Sequence, residues 1–153
     1  MDIESKISDL GLELPVLPEK RTTRRVRSIR HGDLVFLAGH GPFLDGDYPF
    51  KGPVPESMTV DEARSATRYN ALALLASLRN EIEDLDRVEQ ILKVNAFVYG
   101  VPGFDRASSV ADGCSDLLMD LYGERGRHVR SAITVAGLAL GICCETEMTV
   151  AIR

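Results

Sequence analysis

A single α+β domain, with two helices packed on one face of a mixed sheet, is the fold this sequence predicts. Three observations carry the prediction. The apolar pattern switches between a period of two and a helical period in the order β-β-α-β-α-β-β. The first long helical segment opens on a capping box. The last two strands each set apolar against polar residues, as a sheet covered on one side requires.

The opening residues Ile3, Ile7 and Leu10 have helical spacing, and Gly11, Pro15 and Pro18 then hold the chain extended. Residues 1–20 form an N-terminal extension to a core of 21–153, within one domain of 1–153. Val26 to Arg30 alternates, His31-Gly32-Asp33 turns the chain, and Leu34-Val35-Phe36-Leu37-Ala38 is an apolar strand, so the two strands form a hairpin. Phe43 to Pro55 is rich in Gly, Pro and Asp and reads as a loop. Thr59 and Glu62 then start a helix with an apolar stripe at Ala66, Tyr69, Ala73, Leu74, Ala76, Leu78 and Ile82, ending near Asp84–Arg87. A strand lies within Val88 to Tyr99, and a second helix runs from Phe104 or Asp105 to Gly123. His128 to Ala136 and Cys144 to Ile152 complete the sheet. In this last pair, Val129, Ile133 and Val135 with Met148, Val150 and Ile152 are read as the face under the helices. His128, Arg130, Ala132 and Thr134 with Glu145, Glu147 and Thr149 are read as the open face, a surface suited to oligomer formation.

With 153 residues the chain can bury one real core, and 44% hydrophobic with 27% charged residues is ordinary for a globular protein. The net charge of −5 argues against binding a phosphate backbone. The basic segment Glu19 to His31 is a local exception whose alternation fits a strand with one solvated face. Three cysteines, two of them adjacent at Cys143 and Cys144, make no disulfide framework, since neighbouring strand residues point to opposite faces. No CxxC or HxxH spacing suggests zinc, and no apolar run is long enough to span a membrane. A cytoplasmic protein without metal or cofactor is expected.

Arg130 opens a strongly apolar strand. A guanidinium fixed on a strand can grip a carboxylate with two parallel hydrogen bonds. Glu145 begins the following strand, so the two side chains could meet across a ladder. A buried glutamate with a raised pKa can hold a water and move protons. The alternative reading is a cross-strand or interface ion pair with no chemistry attached.

The segment Arg130-Ser131-Ala132-Ile133-Thr134-Val135-Ala136, followed by Leu138 and then Glu145-Thr146-Glu147, resembles the C-terminal signature of the RidA family, also called YjgF. Gly32 to Pro42 is similar to that family's glycine-rich hairpin. Val110 to Leu118, Tyr122 to Ser131 and the Leu-Gly-x-x-Leu-Pro element at Leu10 to Pro15 resemble a less characterised branch with an N-terminal extension. The resemblance implies a chorismate-mutase-like fold, usually a homotrimer with clefts between subunits. It implies hydrolysis of enamine and imine intermediates, such as 2-iminobutanoate and 2-iminopropanoate, to 2-oxo acids and ammonia. It implies that Arg130 binds the substrate carboxylate, that Glu145 positions the attacking water, and that backbone near Gly39 and Ala132 lines the cleft. Against the family pattern, Arg25 stands at the position of a cleft-closing tyrosine, His40 at a glutamine, Ala132 at a cysteine and Ala139 at a proline. Arg25 and His128 are therefore further candidates for contact with a small carboxylate-bearing substrate of the 2-imino or 2-oxo acid type. For His128 a bond to neighbouring backbone is the other reading. A non-catalytic, metabolite-binding or chaperone-like trimer is the alternative function. The older label of endoribonuclease or translation inhibitor has only Arg21, Arg24, Arg25, Arg27 and Arg30 in its favour, and no aromatic platform for RNA accompanies them.

Overall fold

The computed structural model describes residues 2–19 and 24–153. Its elements are α1 (Ile3–Asp9), β1 (Ser28–His31), β2 (Leu34–His40), α2 (Val60–Ile82), β3 (Val88–Tyr99), α3 (Ala107–Tyr122), β4 (Val129–Val135) and β5 (Cys144–Ile152). The order agrees with the predicted α+β succession, and the N-terminal helical spacing forms α1. Arg21, counted in the basic segment, lies outside the described residues.

Local chemistry sets the element ends. Gly32 takes φ 61° at the tip of the β1–β2 hairpin, a conformation that favours glycine at this position of a tight turn. The Thr59 hydroxyl accepts from the Glu62 N–H at 3.1 Å, while the Glu62 carboxylate accepts from the Thr59 N–H at 2.7 Å, closing both halves of the capping box. Helix α3 begins at Ala107, later than the pattern suggests, after the turn in which the Phe104 N–H donates to the Val101 carbonyl.

The five strands lie in the order β1-β2-β5-β3-β4, antiparallel except for the parallel pair β3–β4. A parallel pair needs a crossover, and α3 supplies it across one face. Helices α2 and α3 cover that face over a core of Leu74, Leu75, Leu78, Leu117, Leu118, Val94, Met148 and Val150. Ile3 and Ile7 of α1 are buried in the same core, so the extension seals its end rather than trailing free. Burial of each contributes roughly 1.5–3 kcal/mol.

Three sequence expectations are corrected by this topology. Strand β5 lies between β2 and β3, so β4 and β5 are not neighbours and Arg130 does not face Glu145 across a ladder. The faces of β4 are also reversed. Arg130 is level with Val94, and Val94 with Met148, both buried under the helices, so Arg130 points to the helix side. Val129 and Ile133 lie instead on the open side, 67% and 50% exposed. With Ile29 and Phe36 of the opposite edge they give the open face apolar margins around a polar centre of Lys93, Asn95 and Glu147. Finally, Cys143 precedes β5 and is not bound by strand alternation, so its thiol turns inward to lie 3.5 Å from that of Cys144, both free and buried.

Candidate functional site

The sequence-predicted residues fall into two groups on opposite sides of the sheet. The first surrounds Glu145. Between Leu37 and His40 strand β2 carries one residue more than β5 opposite it, an irregularity of the β-bulge type. The bulge brings Gly39 against Glu145 so closely that a Cβ at Gly39 would lie 2.6 Å from the Glu145 Cδ. Only a residue without a side chain lets the carboxylate occupy that place. Arg25, Gly39 and Glu145 line one cavity of ≈ 590 Å³, with Leu17 from the N-terminal extension, Tyr48 and Leu140. The Glu145 carboxyl is pushed above the usual carboxylate range, first by burial and then by the charge of Glu147. The Glu147 carboxylate is itself held by the Asn95 amide at 2.7 Å.

His40 is buried at the edge of this cavity. Its Nδ1 lies 2.6 Å from the Ala38 carbonyl and its Nε2 lies 2.6 Å from the Ser77 hydroxyl. It ties the bulge to α2 and so fixes the strand that presents Gly39.

The second group surrounds Arg130 on the helix side. Its Nη1 donates to the Ser115 hydroxyl at 3.0 Å and pairs with the Asp112 carboxylate at 3.0 Å. Its Nη2 donates to the Ser108 hydroxyl at 2.8 Å. Ser108, Asp112 and Ser115 are spaced four and three apart, so one stripe of α3 holds the guanidinium. His128 joins this network: Nε2 lies 2.9 Å from the Ser115 hydroxyl and Nδ1 lies 2.6 Å from the Gly126 carbonyl. Burial, with Arg130 adding to it, lowers the His128 pKa and keeps the ring neutral, against an opposing pull from its bond to Gly126. Ala132 lies two residues beyond Arg130 on the same side, packed against a buried cluster that includes Val98 and Val110.

Arg130 is level with Val94 and Glu145 with Phe97, two strands across and three residues along. At ordinary sheet spacings their backbones are roughly 14 Å apart. A single subunit thus holds two separate constellations.

The family model described as "YjgF/chorismate_mutase-like, putative endoribonuclease" matches residues 4–150. The chain belongs to the YjgF/RidA family. Protein TCP17 of Trypanosoma cruzi is 34% identical to it over 149 residues, covering 97% of this chain and 92% of that protein. The crystal structure of Atu1372 from Agrobacterium tumefaciens, a protein of unknown function, superposes with a TM-score of 0.92 at 30% identity, covering 99% of this chain and 92% of the other. A "putative endoribonuclease" from Shewanella oneidensis superposes with a TM-score of 0.94 at 26% identity, covering 99% and 100%. All three likenesses span nearly the full length, so for this YjgF/RidA chain the N-terminal extension falls within the region of likeness.

Leu17 and the α3 residues Ser108, Asp112 and Ser115 were not singled out for a role from the sequence. The spacing of the three α3 residues is a signal that could have found them. Leu17 left no such signal, because its place depends on how the extension folds back. Among the described residues no group of three or more His, Cys, Asp or Glu could hold a metal. None of their helices is long and apolar enough to cross a membrane.

Proposed function

We propose that this chain is a small-molecule hydrolase of the enamine/imine deaminase type, acting on 2-imino acids in clefts between the subunits of a cytoplasmic homotrimer. The observation that carries the reading is the Glu145 carboxyl, held over Gly39 in a cavity with its pKa raised. A base tuned toward working pH can take a proton from water as its oxygen attacks the imine carbon. The carbinolamine that forms then expels ammonia and leaves the 2-oxo acid. Arg25 is a guanidinium this cavity offers the substrate carboxylate, and a cleft between subunits is where Arg130 would join it. Three buried free thiols fit a reducing compartment.

The test generates 2-iminopropanoate and 2-iminobutanoate in place with an amino-acid oxidase and traps survivors with semicarbazide. The protein is expected to lower the trapped fraction, and the assay should extend to larger amino acids. Retained 2-oxo acid binding with no turnover on any imine would make this a binding protein instead.

Two further outcomes follow. A Gly39→Ala substitution is expected to reduce hydrolysis at least tenfold with little change in melting temperature. The new methyl group meets the end of a flexible side chain, so Glu145 swings away and the backbone stays. Unchanged turnover in this variant would remove the close approach from the mechanism. Native mass measurement at micromolar concentration is expected to give three chains per particle, because the open sheet face presents Ile29, Phe36, Val129 and Ile133 to solvent in one subunit. A stable monomer would end the shared-cleft argument.

A further inference from the structure

We propose that Ser115 and His128 form a nucleophile–base dyad, with Arg130 beside the point of attack, that accepts the acyl group of small carboxylic esters and thioesters. The proposal does not depend on the role given to Glu145. Its first support is the histidine's orientation. The 2.6 Å contact to the Gly126 carbonyl can only be a hydrogen bond donated by Nδ1, and in the neutral ring this leaves Nε2 unprotonated and turned toward Ser115. The second is the direction of the serine proton. The Ser115 oxygen already accepts from Arg130, so its own hydrogen is free to point at Nε2, 2.9 Å away. A serine hydroxyl on a neutral imidazole, with the far nitrogen held by a third group, is the arrangement that activates a nucleophile. The third support is charge. A carbonyl attacked by Ser115 places its oxygen beside the Arg130 guanidinium, which would exchange its bond to Ser108 or Asp112 for the developing negative charge. Ser115 and His128 are both only partly buried.

In the reaction the Ser115 Oγ bonds to the acyl carbon while its proton passes to His128 Nε2. The carbonyl electron pair moves onto oxygen at Arg130. Its return breaks the ester bond, and the leaving alcohol or thiol takes the proton from Nε2. Water then repeats the sequence on the acyl-serine and releases the acid.

The experiment exposes the intact protein to p-nitrophenyl acetate, follows nitrophenolate release, and maps the added acetyl group by peptide mass. One acetyl group per chain on Ser115, released slowly, is the expected result. Ser115→Ala is expected to abolish it, and His128→Gln to slow it about 10²–10⁴-fold. Ser109→Ala, on the same helix but outside the network, should react as the wild type does. Melting curves identify any variant that has lost its fold. Acetylation confined to lysines or the N-terminus of the wild-type chain overturns the proposal without any variant. So does modification of Ser115 at an equal rate in folded His128→Gln, which would leave the network as a brace between α3 and β4.

Discussion

Glu145→Gln is expected to slow imine hydrolysis by about 10²–10⁴-fold, the usual worth of a positioned general base. Glutamine keeps the length of the side chain and its reach over Gly39, so the cavity and the substrate affinity should survive. What it loses is the ability to take a proton from water. The pH dependence gives a second readout. The base works only when ionised, and burial raises its pKa, so kcat/KM should rise with pH through a limb centred above the ordinary glutamate range. That limb should vanish in the variant. Stability is expected to move the other way. A carboxyl whose folded pKa exceeds its unfolded pKa favours the fold while protonated, and this support is lost as pH rises through the folded value. At neutral pH the glutamine variant should therefore melt no lower than the wild type. A variant with full activity, or one in which the acid limb persists, would remove Glu145 from the chemistry.

The parts of this molecule that were legible in the sequence are those decided by neighbours along the chain. The capping box at Thr59 and Glu62 forms because its two partners are three residues apart. The Gly32 turn forms because its φ is a local demand. Strand β5 alternates cleanly because it is central, with one face wholly under the helices. Strand β4 misleads for the converse reason. It is an edge strand whose open side carries Val129 and Ile133 and whose helix side carries Arg130, so its apolar pattern points away from the core. Its true facing is set by register with Val94, a non-local pairing that composition does not reveal. The same limit separated Arg130 from Glu145. Chain order makes β4 and β5 consecutive, but sheet order places β3 between them. Of the site, the glycine and the glutamate were visible through resemblance. Their contact needed the bulge in β2, which only the pairing with β5 defines.

Gly113→Ala is expected to destabilise the fold by about 2–4 kcal/mol, although alanine is the better helix former by about 1 kcal/mol. Gly113 lies in the middle of α3, where a glycine is costly unless something needs its missing side chain. Here the neighbouring helix needs it. A Cβ at this position would lie 1.9 Å from the Arg64 carbonyl oxygen of α2 and 2.5 Å from the Thr67 hydroxyl. The first of these is backbone and cannot rotate aside. The Thr67 hydroxyl also lies 2.9 Å from the Val110 carbonyl, a buried bond between the two helices that separation would break. Leu117 and Leu118, one turn further along α3, would lose contact with the core as the helices part. The clash, the broken bond and the loosened packing all oppose the gain in propensity, and together they exceed it. For a chain of this length the loss corresponds to a fall of roughly 4–16 °C in melting temperature. Wild type and variant should be compared at one protein concentration, since any subunit association also stabilises the fold. A variant that melts at or above the wild-type temperature would show that α2 and α3 separate at little cost, and that helix propensity, not close packing, governs this crossing.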